Sequence, residues 1–216
     1  MPTADRRVGR YGLLLLATAA SVAVQGIARP GGVQQVVVTA LAGGTLLLAF
    51  HAGGVAPRVR TAVTVFAAAA VAIAIVRATS GGIGEGAARA VNAALVALGP
   101  PAVAAGLVRE LRVTREVRLE AVFGVLSLYV LIGMAFGFVY GAIDNLGGDP
   151  FFANGAAASV SHCLYFSLTT LATVGYGDFV ARSDLGHTLA VSEALIGQIY
   201  LVTVVSLIVS NLRRPA

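Results

Sequence analysis

The chain has 216 residues, 57% hydrophobic and 12% charged, with a mean hydropathy of +0.86 and a net charge of +5. Soluble domains carry about 25% charged residues, so this composition excludes an ordinary soluble domain and indicates a membrane protein. The single cysteine, Cys163, excludes an intrachain disulfide and a cysteine-based zinc cluster.

Apolar blocks recur at 11–28, 33–50, 61–76, 90–107, 121–143 and 186–209. Each approaches the roughly 20 helical residues needed to cross a bilayer core, so six spans are expected. The first follows Arg6, Arg7 and Arg10 and has the outline of a signal peptide. Residues 21–30, SVAVQGIARP, lack a small-residue cleavage pattern, which favours an uncleaved helix. The third and fourth blocks are rich in alanine and are the least hydrophobic. Gly81–Gly86, GGIGEG, has the look of a phosphate loop, but it follows an apolar helix rather than a strand. In the fourth block, Gly99-Pro100-Pro101 is expected to kink or break the helix.

All fifteen basic residues are arginine. With six spans, Arg6, Arg7, Arg10, Arg58, Arg60, Arg109, Arg112, Arg115, Arg118, Arg213 and Arg214 share one side, and Arg29, Arg77, Arg89 and Arg182 face the other. The asymmetry places both termini in the cytoplasm of a multi-pass plasma-membrane protein. The positive charge then reflects membrane orientation, and nucleic acid is not an expected partner. Residues 109–120 read as a cytoplasmic interfacial linker whose arginines Arg109, Arg112, Arg115 and Arg118 reach lipid headgroups. In the fifth block, Gly133, Gly137 and Gly141 form a small-residue face suited to close helix packing.

Between the fifth and sixth blocks, 144–185 is too long for a hairpin and too polar to cross. Residues 161–172 read as a helix of about three turns, some 18 Å long, too short to span. Thr173-Val174-Gly175-Tyr176-Gly177-Asp178 follows, and such bare backbone is tolerated at membrane depth only inside protein or along a wet path. Gly175 and Gly177 can take positive φ, letting successive carbonyls point one way. Four copies around an axis would stack oxygen cages able to replace a cation's water shell. The preceding helix would aim its negative, carbonyl end at the same axis.

The stretch Thr170–Asp178, TLATVGYGD, matches the Thr-x-x-Thr-x-Gly-Tyr-Gly-Asp signature of potassium channels, and residues 121–212 resemble the pore module of that family. The resemblance implies an all-α membrane protein with six transmembrane helices, a re-entrant pore helix (161–172), an extended selectivity filter (173–178) and a tetrameric pore. The outer helix would be 121–143 and the inner helix 186–209, preceded by a four-span region, 1–108, and the 109–120 linker. It implies that the carbonyls of Thr173, Val174, Gly175 and Tyr176, with the Thr173 hydroxyl and Gly177 completing the loop, bind dehydrated K+ as the permeant ion. No cofactor and no resident metal other than K+ is implied. Asp178 resembles the acidic residue that braces the filter. Tyr165, followed by Phe166, stands where many members place tryptophan, and Thr170 opens the signature. Ala172 replaces a common hydroxyl residue, which puts the filter's inactivation behaviour in question.

Gly197 lies nineteen residues after Asp178, where similar inner helices carry a glycine proposed as a gating hinge; close packing is the competing reading. Glu193, one turn earlier, is an intramembrane carboxylate and a functional candidate on cost alone. Ser167, Thr169 and Thr170 are its candidate hydrogen-bond partners, and Gln at this position would separate a structural from a pH-sensing role. Asp144, Asp149, Asp178 and Asp184 would line an outer mouth that concentrates cations, though Asp144 and Asp149 also suit turns.

Six spans with the pore last resembles voltage-gated channels, but residues 90–107 hold no arginine, and Glu110 and Glu116 interrupt the arginine series. Strong voltage dependence is not expected. Only a few residues follow the last span, so ligand gating would need another polypeptide. Ser161, His162 and Cys163 are adjacent and cannot converge as a triad, so no enzyme is expected. The expected function is passive, K+-selective conduction by a homotetramer in membrane lipid. A non-conducting or regulatory subunit of another channel, or a component of a K+ uptake transporter, is the alternative.

Overall fold

The computed structural model describes residues 8–27, 32–52, 57–80, 98–105, 119–146 and 148–212. Helices run over Val8–Ile27 (α1), Gly32–Ala52 (α2), Pro57–Ser80 (α3), Leu119–Leu146 (α4), Val160–Leu171 (α5) and Asp184–Leu212 (α6). Among the described residues, three segments are long and apolar enough to cross a membrane: Pro57–Val76, Ala121–Leu146 and Asp184–Val204. The apolar parts of α1 and α2, Tyr11–Ile27 and Val36–Ala52, are shorter. Most of the 90–107 block lies outside the described residues, as do Arg109, Arg112, Arg115 and Arg118. The last two residues of the expected linker, 119 and 120, already belong to α4.

Local chemistry sets the helix ends. A helical stretch at 99–105 begins at the Gly99-Pro100-Pro101 triplet, where missing prolyl donors are tolerated because first-turn N–H groups have no intrahelical partner. Ser159 caps α5, its hydroxyl accepting from the His162 N–H at 3.2 Å. Ser183 does the same for α6, with the Gly186 N–H at 3.2 Å and Asp184 in the first turn, where the helix dipole favours an acid. This cap starts α6 at 184, two residues before the apolar block itself.

The helices pack as a chain of neighbours. α3 lies on α2, α2 on α1, and α1 on both α4 and α5. Tyr11 and Leu14 of α1 and Val38 and Ala42 of α2 share a core with Leu131, Met134 and Phe138 of α4 and Leu164 of α5. A polar tie joins the same elements, the Ser161 hydroxyl donating to the Gly26 carbonyl at 3.1 Å.

A close seam runs between α4 and α5, along the three glycines. A Cβ on Gly133 would stand 2.7 Å from Leu168 Cδ2, and one on Gly137 would stand 3.3 Å from the Cys163 carbonyl oxygen and the Leu164 Cα. Gly141 faces the Cys163 sulfur at 3.7 Å. The small-residue face of α4 therefore seats the short helix closely. Gly137→Val is expected to cost about 1–3 kcal/mol by overpacking against backbone. Gly44→Ala, with nothing within 4 Å of its new methyl, should be neutral or stabilising by up to about 1 kcal/mol. Thermal unfolding of the two variants in detergent micelles measures the contrast.

Candidate functional site

The 173–178 stretch leaves α5 through a set of backbone hydrogen bonds that reverse the chain onto the helix end. The Thr173 N–H donates to the Thr170 carbonyl at 2.9 Å, and those of Val174 and Gly175 both donate to the Thr169 carbonyl, at 2.8 and 3.2 Å. Three successive N–H groups thus converge on one side, a nest around the helix C-terminus. There are no cis peptides among the described residues, and in a trans peptide the carbonyl opposes the N–H. The carbonyls of Ala172, Thr173 and Val174 therefore face away from α5.

The dihedrals continue the pattern. φ is positive at Thr173 (56°), Gly175 (50°) and Gly177 (81°), every second residue, and negative at the two between. Alternation of this kind turns successive carbonyls to a common side, whereas an ordinary strand sends them to opposite sides. The two glycines take positive φ at no steric cost. Thr173 does so with a β-branched side chain, a strained choice that sequence reasoning about glycine did not reveal.

The four last carbonyls of α5 are all engaged. Leu168 accepts from the Ala172 N–H at 3.0 Å, Thr169 and Thr170 accept as above, and Leu171 accepts from the Tyr129 hydroxyl at 3.0 Å. Each of these carbonyls thus already accepts a hydrogen bond. The influence of this helix end on the loop's outer side is that of a dipole.

The far end of the stretch is tied to the segment before α5. Phe152 and Ala181 form an antiparallel bridge, flanked by the Ala153 N–H to the Val180 carbonyl and the Arg182 N–H to the Phe151 carbonyl, both 2.8 Å. Asn154 donates through Nδ2 to the Asp178 carbonyl at 3.0 Å. Beneath the bridge, Phe151, Phe152, Phe166 and Tyr140 pack ring on ring, with centroids between 5.0 and 6.0 Å. Phe166 thus packs beneath the bridging loop. The pairing across twenty-nine positions, 152 to 181, was not visible in the sequence.

Tyr165 is 37% exposed and lies parallel to Tyr176, centroids 6.2 Å apart. Desolvation first, and then the Asp178 carboxylate, raise its phenol above the ordinary value. Thr170 contributes its carbonyl. Of the candidate hydroxyls for Glu193, Ser167 alone reaches it; Thr169 bonds the Tyr165 and Phe166 carbonyls. Tyr140 Oη, which sequence reasoning missed, donates to Glu193 Oε2 at 2.6 Å. At the outer face, Asp144 accepts the Phe151 N–H at 2.9 Å and serves the turn, while Asp149, Asp178 and Asp184 are exposed.

Val174 and Tyr176 are 52% and 71% exposed, although apolar or aromatic. On α6, Val191, Leu195, Ile199 and Val202, spaced three or four residues apart, are exposed as well. Residues 124–214 match the family model described as "Ion channel". Over this stretch the chain is similar to an ion-channel module. Over 89 residues it is 32% identical to the inward rectifier potassium channel Kirbac3.1 of Paramagnetospirillum magnetotacticum, covering 41% of this chain and 28% of that protein. Over 87 residues it is 29% identical to the calcium-activated potassium channel slowpoke of Drosophila melanogaster, covering 40% of this chain and 7% of that one. The match thus spans under a third of either relative's length. No solved structure matches the chain.

Within this module Gly197 of α6 is pressed against the end of α5. A Cβ there would lie 2.1 Å from the Leu171 carbonyl oxygen and 3.0 Å from its carbon. The glycine is required by close approach, independently of any hinge. Gly197→Ala is expected to destabilise the protein by at least about 1–3 kcal/mol, because backbone must move to admit the methyl. A purely hinge-forming glycine would instead gain up to about 1 kcal/mol of helix propensity. Thermal unfolding in detergent separates the two.

Proposed function

We propose that the chain is one subunit of a potassium-selective channel, in which four copies bring their 173–178 stretches together around an axis. The carbonyls of Thr173, Val174, Gly175 and Tyr176, with the Thr173 hydroxyl, then form stacked cages that stand in for the hydration shell of K+. Gly177 and Asp178 close the loop, with Asp178 held by Tyr165.

The observation that carries this reading is the one-sidedness of the backbone. Three consecutive N–H groups at 173–175 are consumed by the end of α5, and the opposing carbonyls are left on the uncovered side. The relatives' names as potassium channels favour K+ over other cations. The exposed apolar face of α6 suits burial against a neighbouring copy, and a closed ring is the arrangement that completes identical cages.

In this reading α4 is the outer helix, α5 the pore helix and α6 the inner helix. α1, α2, α3 and the region of 99–105 form a four-span unit in the plasma membrane, with both termini cytoplasmic. The fourth block of that unit, 90–107, lacks the series of intramembrane arginines a voltage sensor needs, since each charge moved through 100 mV supplies about 2.3 kcal/mol. Conduction is therefore passive and only weakly voltage-dependent.

Single-channel recording of the purified protein in a planar bilayer, with opposed K+ and Na+ gradients, tests the proposal. Currents should reverse near the K+ equilibrium potential, with conductance nearly flat in voltage and unaltered by Arg112→Gln. Equal permeation of Na+, or a dimer by mass determination in detergent, would refute it. Silence from the pure protein, with currents restored by a second channel subunit, would favour the regulatory-subunit alternative.

A further inference from the structure

Glu193 is fully buried near the middle of the membrane-crossing part of α6. Three oxygen–oxygen contacts meet around it. Tyr140 Oη of α4 lies 2.6 Å from Oε2, Ser167 Oγ of α5 is in hydrogen-bond contact with Oε1, and the same Ser167 Oγ lies 2.6 Å from the Gly133 carbonyl oxygen of α4. Contacts this short between oxygens each require a hydrogen between them.

The available hydrogens can be counted. The Gly133 carbonyl has none to give, while the Tyr140 and Ser167 hydroxyls have one each. With Glu193 ionised, three contacts share two hydrogens, and one oxygen pair is left lone pair against lone pair. With a proton on Oε1 the count closes: Tyr140 donates to Oε2, Oε1 donates to Ser167, and Ser167 donates to the Gly133 carbonyl. We propose that Glu193 holds its proton and donates it to Ser167, making one directional run of hydrogen bonds that leaves α4 at Tyr140, passes through α6 and α5, and returns to α4 at Gly133. Each link polarises the next, and a neutral carboxyl avoids an unpaired charge at membrane depth. The other titratable groups facing this cluster are Tyr129 of α4 and, through Tyr140, Cys163 of α5.

Loss of the proton would turn the Ser167 hydrogen from Gly133 to Glu193 and undo a tie between α5 and α4. Ser167 lies one turn before Leu171 and six residues before Thr173. Resting on the channel reading above, this makes Glu193 a positioning residue, whose ionisation changes how the conducting loop is seated.

The test is infrared spectroscopy of the full-length protein in lipid bilayers, with its five glutamates carrying a carbon-13 carboxyl label. A protonated-carboxyl C=O stretch is expected at neutral pH, shifted by the label and by deuterium oxide and lost in Glu193→Gln. Gln keeps a donor for Ser167 and an acceptor for Tyr140, so the fold should survive. If that variant does not assemble, Tyr140→Phe assigns the band instead, by an upward shift on losing the bond to Oε2. Absence of a labelled protonated band at neutral pH, or a band indifferent to both variants, would overturn the proposal. In K+ flux from vesicles, Glu193→Gln should flatten the profile over the pH range in which the band titrates; a wild-type profile in the variant would sink the positioning role. Wild-type protein that passes no K+ would count against the channel reading, while the infrared result still decides the proton.

Discussion

Peptide groups at membrane depth have no water to satisfy them, and the arrangement after α5 answers that constraint by dividing its two kinds of polar group. Donors turn inward to the carbonyls at the end of α5, and acceptors are left facing out. An extended stretch with ordinary dihedrals could not do this, because its carbonyls alternate. The positive φ values at 173, 175 and 177 are therefore part of the same solution as the hydrogen bonds at Thr169 and Thr170.

Everything around this loop serves to hold α5. Its side is pressed into the glycine seam of α4, its last carbonyl is capped by Tyr129 and touched by Gly197, and its middle is tied by Ser167 to Gly133 and Glu193. Tyr200 adds a further link, its hydroxyl donating to the Val125 carbonyl at 2.5 Å beside the Tyr129 ring. α1 backs the assembly through Leu14 and the Ser161–Gly26 bond. The first helices are thus physically joined to α5, not merely appended before it.

Much of this was legible in the sequence because hydropathy and length constrain membrane helices so strongly. The blocks at 121–143, 161–172 and 186–209 reappear within a few residues as α4, α5 and α6, and the differences trace to caps. Ser183 and Asp184 extend α6 backwards, and Ala172 is the C-cap of α5 rather than its last residue. The spacing of Gly133, Gly137 and Gly141 marked a packing face, but not which partner it served. Glu193 stood out on cost, and Ser167 was among its named partners, whereas Tyr140 lies fifty-three positions away and nothing local signals such a pair. The Phe152–Ala181 bridge escaped for the same reason: two residues on irregular segments carry no periodicity to read. The engaged carbonyls of α5 were also invisible, since a dipole argument treats a helix end as open until its partners are known.

The Phe152–Ala181 bridge and the Asn154–Asp178 bond, with the nest at 173–175, all join groups of a single polypeptide. The strained geometry of the loop is accordingly enforced before any neighbour arrives. In the proposed fourfold assembly, association of such subunits would align ready-made quarters, with little ordering entropy left to lose at the axis. A defect in one quarter would then be inherited locally, as a single flawed wall in an otherwise sound ring.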